Sequence, residues 1–403
     1  MTSSGIHVLV LTSLFPSRPG EKNGNFVLDQ VRELAAHGAD VTVLVARPWI
    51  PNLLKSYCTP DRLPINERLF APEKFELLNA SFFSLPRFAL GRHATRFLRA
   101  LVPVIGYVHA RKGIDVIHAH GLQLAHAAVE AAAELRIPSV VTVHGIETAT
   151  RFDNSRAKRD QIGDSLDRSS KVVLVGSPLF PYVRRFTSKT DHCTVIGNGY
   201  NAYPDLTAST QIPRQRQFRV VAVSNYEESK GFEILIDALA SLELELRAKF
   251  EAVLVGGGAG FDSVGQRVSD RGLADCVHYT GPLLHRDAIA EMLAGDIFCL
   301  PSWREAFGIM YAEAMSLGKL TVGCSGQGPA DFIRHLDTGY LVEPRNVDSV
   351  ADALRWAAAN PDGVHTVSER GREYANSNLT WSHNAETMLG LYRSLLPRKA
   401  VAG

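Results

Sequence analysis

The stretch PSWREAFGIMYAEAM, residues 301–315, determines how the rest of the chain is interpreted. It follows the apolar run 296–300, which is a predicted strand. A helix is predicted to begin near Phe307. A helix start presents free backbone N–H groups, which bind anions. Glu305 and Glu313 lie eight residues apart, so beside such a site they would reach different parts of one ligand. The alternative is that Glu305 caps the helix and that Glu313 is a surface residue.

Strands and helices alternate on both sides of this stretch, in two series. Short apolar runs rich in β-branched residues alternate with helical patterns, which indicates parallel sheets covered by helices on both faces. The sequence therefore predicts two doubly wound α/β domains that face an interdomain cleft, with ligands at the carboxyl ends of the strands. The predicted domains are residues 1–200 and 218–378, joined by the polar linker 201–217, and a C-terminal helix within 379–403 crosses back to the first domain.

The individual elements of the two series are predicted from the apolar runs and their flanking turns. Strands are predicted at 7–12, 41–46, 116–118, 140–144, 171–176, 194–196, 218–224, 252–256, 296–300 and 320–323. Helices are predicted at 26–37, 123–135, 231–242, 287–293, 307–317 and 347–359.

Composition excludes several classes of protein. Of the 403 residues 45% are apolar and 21% charged, which disfavours disorder and coiled coil, and a net charge of +1 argues against a nucleic-acid binder. Five cysteines without a C-x-x-C pair argue against a disulfide scaffold or a zinc ribbon. The first residues lack the basic and small-residue features of a signal peptide, and the longest apolar run is too short to cross a bilayer. We therefore expect a cytoplasmic protein, peripheral to the membrane at most.

In the second half of the chain, two predicted strands run into stretches that contain glycine. In VVAVSNYEESKGFEIL, residues 220–235, Lys230 precedes a helix start, where a cation is favourable only if an anion lies between it and the helix. The alternative is a solvated lysine before a glycine turn. In VLVGGGAG, residues 253–260, the next residue is Phe261, so the dinucleotide pattern G-x-G-x-x-G is not met. A tight turn that lines the cleft is the preferred interpretation.

Histidines end two predicted strands of the first half. His144 follows the apolar run in VVTVHGIE, where a side chain would emerge into the cleft, although a lone histidine is often structural. His118 and His120 form an H-x-H pair without a cysteine or an acid at ligand spacing, which is weak evidence for a metal site. No D-x-D occurs, so a carboxylate pair holding a nucleotide through a divalent cation is not indicated.

Together and in this order, these stretches resemble the GT-B fold glycosyltransferases of family 4, over nearly the whole chain. The resemblance is closest to enzymes of cell-surface polysaccharide synthesis, such as the teichuronic acid type. The matching segments are FPSRPGEKNGNFV (15–27), VIGNGYN (195–201), Lys230-Gly231, Gly256–Gly258, the E-x7-E pair, SGQGPAD (325–331) and TGYLVEP (338–344).

The resemblance implies a fold and an activity. The fold is GT-B, with two Rossmann-like domains, and the activity is retaining transfer of a hexosyl group from a UDP- or GDP-linked sugar to a hydroxyl of a glycan or lipid-linked acceptor. No metal and no other cofactor are expected. A non-hydrolysing nucleotide-sugar epimerase of the same fold and a sugar-binding protein without catalysis are the alternatives.

The resemblance also implies which residues are catalytic. Glu305 faces the donor sugar near the reacting centre, His144 contacts the sugar from the opposite domain, and Lys230 pairs with the donor diphosphate. At Asn225 the family often has an arginine, so diphosphate binding would be weaker here unless another basic group substitutes, and an inactive family member is a further alternative.

The remaining implied residues bind the donor. Glu313 accepts hydrogen bonds from the ribose hydroxyls, which suits a carboxylate because both hydroxyls are donors. Backbone N–H groups at the helix start complete the diphosphate site, the segment from Tyr279 lines the base pocket, and a glycine lets the first loop approach the phosphate or the acceptor. The residues concerned are Gly308, Ile309 and Met310 for the diphosphate, Tyr279 to Leu283 for the base, and Gly24 for the first loop.

A basic segment of the first half suggests contact with a membrane. No acid occurs between residues 77 and 114, and Arg92, Arg96 and Arg99 share one face of a helical pattern. Basic amphipathic helices are attracted to anionic lipid headgroups. We therefore expect peripheral contact with an anionic membrane through residues 87–112, the alternative being a solvated helix face.

Overall fold

The computed structural model describes residues 5–18, 21, 24–49, 65–70, 73–83, 93–146, 156–208 and 213–397, without the side chains of 48, 49, 82, 83 and 93–100. The chain forms two compact units. Unit 1 lies within Met1–Asn198 and Trp381–Gly403, and unit 2 is Gly199–Thr380, which includes the segment 201–217.

Unit 1 contains a parallel sheet of seven strands in the order β3-β2-β1-β4-β5-β6-β7. The strands are β1 His7–Thr12, β2 Asp40–Trp49, β3 Glu76–Phe83, β4 Val116–His120, β5 Ser139–Val143, β6 Lys171–Leu174 and β7 Cys193–Val195. The described helices are α1 Asn25–Ala36, α2 His93–Lys112, α3 Leu122–Leu135, α4 Arg156–Arg168, α5 Phe180–Val183 and, from the end of the chain, Trp381–Leu395.

Unit 2 contains a parallel sheet of six strands in the order β10-β9-β8-β11-β12-β13. The strands are β8 Phe218–Val223, β9 Phe250–Val255, β10 Val277–Tyr279, β11 Ile297–Cys299, β12 Leu320–Cys324 and β13 Tyr340–Val342. The helices are α6 Phe232–Ser241, α7 Leu244–Arg247, α8 Phe261–Asp270, α9 His285–Ala294, α10 Ile309–Ser316, α11 Val347–Ala359 and α12 Pro361–Asn378, and the helix Trp381–Leu395 of unit 1 is therefore α13. The predicted class of two doubly wound, Rossmann-like α/β folds is confirmed.

The central strands are buried along their whole length, as expected for parallel strands covered on both faces. β1 and β8 each have six consecutive buried residues. One of them is charged: Arg219 of β8 is 2% exposed, and its Nε donates to Oε1 of Glu251 on β9 at 2.7 Å. A charge in this position is tolerated because its partner lies on the neighbouring strand.

The helix α13 packs on unit 1 although the chain passes through unit 2 before it. Its buried apolar residues recur at helical spacing and join the cluster formed by β1, α1 and β2. These residues are Ala385, Met388, Leu389 and Tyr392, and Trp381 at the start of the helix is buried as well. A further contact is polar, since Asn384 donates from Nδ2 to the carbonyl of Gly197 at 2.6 Å.

Two predicted element ends were wrong at positions that matter for function. The helix predicted to open near Phe307 begins at Ile309, because Gly308 has a φ of 90° and stands outside the helix as its N-cap. The strand predicted to include His144 ends at Val143. Both residues therefore lie in connections at the carboxyl ends of strands.

Several elements were missed by the sequence analysis. The strands β10 and β13 have only three residues each, too few for an alternating pattern, and α8 and α12 are predominantly polar. Neither kind of element produces a strong hydrophobic signal.

Candidate active site

In unit 2 the strand order reverses between β8 and β11, which are neighbours in the sheet. Loops that follow two such strands diverge, and the crevice between them is where doubly wound sheets bind ligands. The loop after β8 contains Asn225 and Lys230, and the loop after β11 contains Glu305 and Gly308. Four of the residues singled out from the sequence of unit 2 thus lie in the two loops that follow the strands at the reversal of its sheet.

Lys230 and Glu305 form an ion pair across this reversal. The Nζ atom of Lys230 donates to Oε2 of Glu305 at 2.8 Å, and both side chains are about four-fifths buried. The two loops are also joined through Ser229, whose carbonyl accepts from the backbone N–H of Trp303 and the hydroxyl of Ser302, each at 3.0 Å. The lysine predicted to have an anionic partner therefore has one within the chain, and a bound phosphate would compete for the same ammonium group.

The start of α10 lies directly after this ion pair. Gly308 is its N-cap in the left-handed region, and a Cβ there would lie 2.5 Å from Cδ2 of Tyr311. The hydroxyl of Tyr311 donates to the carbonyl of Leu300 at 2.6 Å, which ties the helix to the end of the preceding strand segment. The N–H groups of the N-cap Gly308 and of Ile309 and Met310 in the first turn have no acceptor within the helix.

Glu313 lies one turn further along α10 and is buried, with 3% of its surface exposed. Its Oε1 accepts a hydrogen bond from Nε2 of His285, the first residue of α9, at 2.9 Å. The interpretation of Glu313 as a surface residue is therefore wrong. The contact with His285 was missed because it joins two helices and follows no sequence spacing.

Asn225 and Tyr279 are exposed at the same end of the sheet. Asn225 lies in the loop after β8, and Tyr279 ends β10 and is 43% exposed. Tyr279 meets the ring of Phe261 edge-on, with centroids 5.7 Å apart, and Phe261 stacks on Tyr226 at the same distance. Leu283, in the connection before α9, is partly exposed.

The glycine run after β9 closes against the loop after β8. Gly256 has a φ of 153°, and a Cβ on it would overlap the carbonyl oxygen of Ser224. The backbone N–H of Tyr226 donates to the carbonyl of Gly257 at 2.9 Å. This is a tight turn packed against the segment that contains Asn225.

Unit 1 has its own strand-order reversal, between β1 and β4. Gly24 lies after β1 as the N-cap of α1, with a φ of 80°, and a Cβ there would lie 2.6 Å from backbone atoms of Leu14 and Phe15. Only glycine allows this approach without displacing the loop.

Three histidine rings form a column at the ends of β4 and β5. The ring of His120 lies 4.2 Å from that of His118 and 5.1 Å from that of His144, and Nδ1 of His120 is 2.9 Å from Nε2 of His144. His118 is held at both nitrogens, by the hydroxyls of Tyr392 and Thr142 at 2.7 Å each. We call these three rings the imidazole column.

Burial keeps the imidazole column neutral. It lowers the pKa of His118 and of His144 to about 3, and desolvation together with its histidine neighbours lowers the pKa of His120. Within the described part of the chain, Nε2 of His120 and Nδ1 of His144 have no hydrogen-bond partner. Across the described residues, no three His, Cys, Asp or Glu side chains are arranged to hold a metal ion. The column therefore offers uncharged hydrogen-bonding nitrogens.

The site residues thus fall into two groups. Unit 2 brings together Lys230, Glu305 and the N-terminal end of α10, with Glu313 further along that helix, whereas Gly24 and His144 belong to unit 1.

Two doubly wound parallel sheets in one chain are the architecture of the GT-B fold. Residues 24–199 match the family described as "Glycosyl transferase 4-like domain", and residues 208–374 match "Glycosyl transferases group 1". The chain belongs to the family 4 glycosyltransferases.

Individual proteins resemble the chain over much of its length. It is 26% identical over 285 residues to N-acetyl-alpha-D-glucosaminyl L-malate synthase of Bacillus anthracis, covering 68% of this chain and 73% of that enzyme. It is 25% identical over 367 residues to TuaC of Bacillus subtilis, assigned as a teichuronic acid biosynthesis glycosyltransferase, covering 86% and 88%. The solved structure of Anabaena Alr3699/HepE with UDP and glucose superposes with a TM-score of 0.68 at 20% identity, covering 97% of this chain and all of that one.

The segment proposed to contact membranes is only partly described. Arg87 and Arg92 lie outside the described residues, as do the side chains of Arg96 and Arg99. Arg111 and Lys112, at the end of α2, form ion pairs with Glu76. Among the described residues there is no helix with the length and apolar character needed to span a bilayer.

Proposed function

We propose that this glycosyltransferase transfers a hexosyl group from a UDP- or GDP-linked sugar to an acceptor hydroxyl with retention of the anomeric configuration. The observation that carries the proposal is the ion pair of Lys230 with Glu305 at the strand reversal of unit 2, directly before the N-terminal end of α10. A cation beside a helix start favours a diphosphate, which is the leaving group of such a transfer.

The proposed chemistry is electrostatic. When the donor binds, Lys230 moves from Glu305 to the diphosphate, and the N–H groups of Gly308, Ile309 and Met310 complete the anion site. Donors placed where charge develops stabilise the leaving group in the transition state. The leaving phosphate then assists the acceptor hydroxyl on the same face of the sugar, so that neither a metal ion nor a covalent nucleophile takes part.

Glu305 and His144 are assigned to the donor sugar, and Glu313 to the ribose. Once Lys230 has moved, the carboxylate of Glu305 is available to sugar hydroxyls. His144 contributes a neutral imidazole, which can accept or donate a hydrogen bond without adding charge. Asn225, Tyr279 and Leu283 are assigned to the diphosphate and the base, and Gly24 to the approach of the first loop to the phosphate or the acceptor.

The acceptor is proposed to be a glycan or a lipid-linked saccharide of the cell surface. The similarity to the teichuronic acid enzyme over 86% of the chain supports this assignment. So does the charge of residues 1–200, which contain 24 basic and 17 acidic side chains. We further propose work in the cytoplasm, with peripheral contact between residues 87–112 and an anionic membrane.

A thermal-shift panel tests the donor assignment. UDP, GDP, ADP and their common sugar derivatives are added separately, and a ligand at 100 times its Kd stabilises the native state by about 2.7 kcal/mol. We expect selective stabilisation by one base. Stabilisation by free sugars alone, with none by any nucleotide, would contradict the proposal and favour a sugar-binding protein.

The variants Lys230→Ala and Glu313→Gln test the site with the donor so identified. Loss of a charge-assisted contact costs about 1.5–3 kcal/mol, so kcat/KM should fall roughly 10- to 150-fold in Lys230→Ala. The exposed Lys249 provides the matched control Lys249→Ala, which should retain full activity. The anomeric configuration of the product, read by NMR, and activity in the presence of EDTA decide retention and metal independence.

A further inference from the structure

We propose that His285 is a positioning residue for nucleotide binding: it orients the carboxylate of Glu313 toward the ribose hydroxyls of the donor. The inference rests on the proposed function, in which Glu313 binds the ribose, and it adds a residue from outside the loops that form the diphosphate site.

The contact that carries this inference joins two helices. Nε2 of His285, at the start of α9, lies 2.9 Å from Oε1 of Glu313 in the middle of α10. The side chain of Glu313 is 4% exposed, whereas that of His285 is 42% exposed. Burying a carboxylate is costly unless it is hydrogen-bonded, and His285 supplies such a bond from the solvent-facing side.

The imidazole of His285 is itself held in place. The ring of Tyr203 meets it edge-on with centroids 5.8 Å apart. Next to it, Arg286 donates to the carbonyl of Asp205 at 3.4 Å, which is a second contact between the segment containing Tyr203 and the start of α9. The rotamer of His285 is therefore restricted by neighbours on a second segment of unit 2, as expected for a residue that sets the position of another.

Orientation matters because of what Glu313 is proposed to accept. The two ribose hydroxyls are both donors on adjacent carbons, so they require a carboxylate held in one plane. Once Oε1 accepts from His285, the carboxylate can no longer rotate freely about its last bond. Preorganisation of this kind increases affinity by removing the entropy cost of ordering the group on binding.

A purely structural role for the His285–Glu313 pair makes a different prediction. If the pair only fastens α9 to α10, its loss affects every nucleotide equally. If His285 orients Glu313 for the ribose, its loss affects only ligands that have ribose hydroxyls. Ligands that differ solely in those hydroxyls therefore separate the two roles.

The experiment measures the Kd of UDP, GDP and their 2′,3′-dideoxy counterparts by calorimetry for the parent protein and for His285→Ala. We expect the Kd of the ribose form of the preferred nucleotide to rise about tenfold in His285→Ala, the effect of one hydrogen bond to a charged group. The Kd of the dideoxy form should change less than twofold.

Two conservative variants refine the test. In His285→Gln the amide nitrogen can occupy the position of Nε2, so the affinity of the parent should largely return, whereas in His285→Asn the amide is too short. His365→Ala, at an exposed histidine of α12, is the matched control and should behave as the parent.

The outcomes separate the inference from the function on which it rests. If the parent binds neither nucleotide, the proposed function fails, and the inference with it. If the parent prefers the ribose form and His285→Ala keeps that preference in full, or loses affinity equally for both forms, the inference alone is overturned.

Discussion

At the scale of single residues, Gly308 determines where α10 starts. Its φ of 90° directs the chain from the loop that contains Glu305 into the helix that contains Glu313. A side chain would meet the ring of Tyr311 and, at 3.3 Å, Cγ of Glu305. The dihedral angle of one residue thus fixes the spacing of both glutamates relative to the helix start.

Gly308→Ala is therefore expected to reduce both stability and nucleotide binding. The left-handed conformation alone costs an L-residue roughly 1–2 kcal/mol, and the contact with Tyr311 adds to that cost. Gly272→Ala is the matched control, since Gly272 has a φ of 65° but no atom within 4 Å of its Cβ position. Urea unfolding should show a larger loss for Gly308→Ala than for Gly272→Ala, and equal losses would contradict the packing argument.

The sequence shows which residue types occur at strand ends but not which of them touch. Lys230, Glu305 and Glu313 were found because glycines and strand ends mark them, yet the direct bond between Lys230 and Glu305 joins residues 75 positions apart. His285 has no such marker. Its contact with Glu313 depends on the packing of two helices, which no local pattern specifies.

At the scale of elements, the imidazole column couples β4, β5 and α13. Tyr392 of α13 holds His118, and the column ends at His144. The native protein binds no proton on His118 or His144 until the pH approaches 3, whereas an unfolded histidine has a pKa of about 6.5. Between these values the unfolded state binds more protons, so acid destabilises unit 1.

We predict that the contribution of these histidines to the free energy of unfolding is fully present above about pH 6.5 and falls steadily as the pH drops toward 3. Each of the three histidines of the column contributes a slope of up to about 1.4 kcal/mol per pH unit. Urea unfolding between pH 4.5 and 7.5 measures the slope. In His144→Gln one contribution should disappear, and in the control His365→Gln the slope should stay as in the parent. An unchanged slope in His144→Gln would mean that this ring is not held neutral by burial.

Prediction of elements succeeded where hydrophobic periodicity is strong. The bounds of β1 and α11 agree with the sequence analysis, because buried β-branched runs and an asparagine cap at Asn346 mark them. The three-residue strands β10 and β13 were missed, since tertiary pairing with β9 and β12 makes them strands. Their own residues show no preference strong enough to be recognised.

At the scale of the whole molecule, unit 2 is continuous in sequence and unit 1 is not. The fragment 199–380 is therefore expected to fold by itself with a cooperative urea transition, and to bind the nucleotide preferred by the full chain. The complementary fragment 1–198 lacks the apolar face of α13 and should be far less stable. Circular dichroism during urea titration of each fragment checks both statements.

A single substitution in the full chain tests whether α13 stabilises unit 1. Met388→Ala removes a side chain of α13 that is fully buried in unit 1, which costs about 2–5 kcal/mol. The matched change Leu244→Ala concerns a side chain that is 73% exposed in unit 2 and should cost little. Two separate unfolding transitions, of which only one shifts in Met388→Ala, are the expected result.

The return of α13 to unit 1 has a consequence for synthesis on the ribosome. The chain emerges from its N-terminus, so unit 2 has all of its residues available once Thr380 has left the exit tunnel, while unit 1 still lacks its last helix. The part synthesised first thus finishes folding last, and its apolar face stays uncovered through the translation of nearly two hundred further residues. A nascent chain stalled just before Trp381 should be a good substrate for chaperones that bind exposed apolar surface, whereas the released full-length chain, which contains α13, should not be.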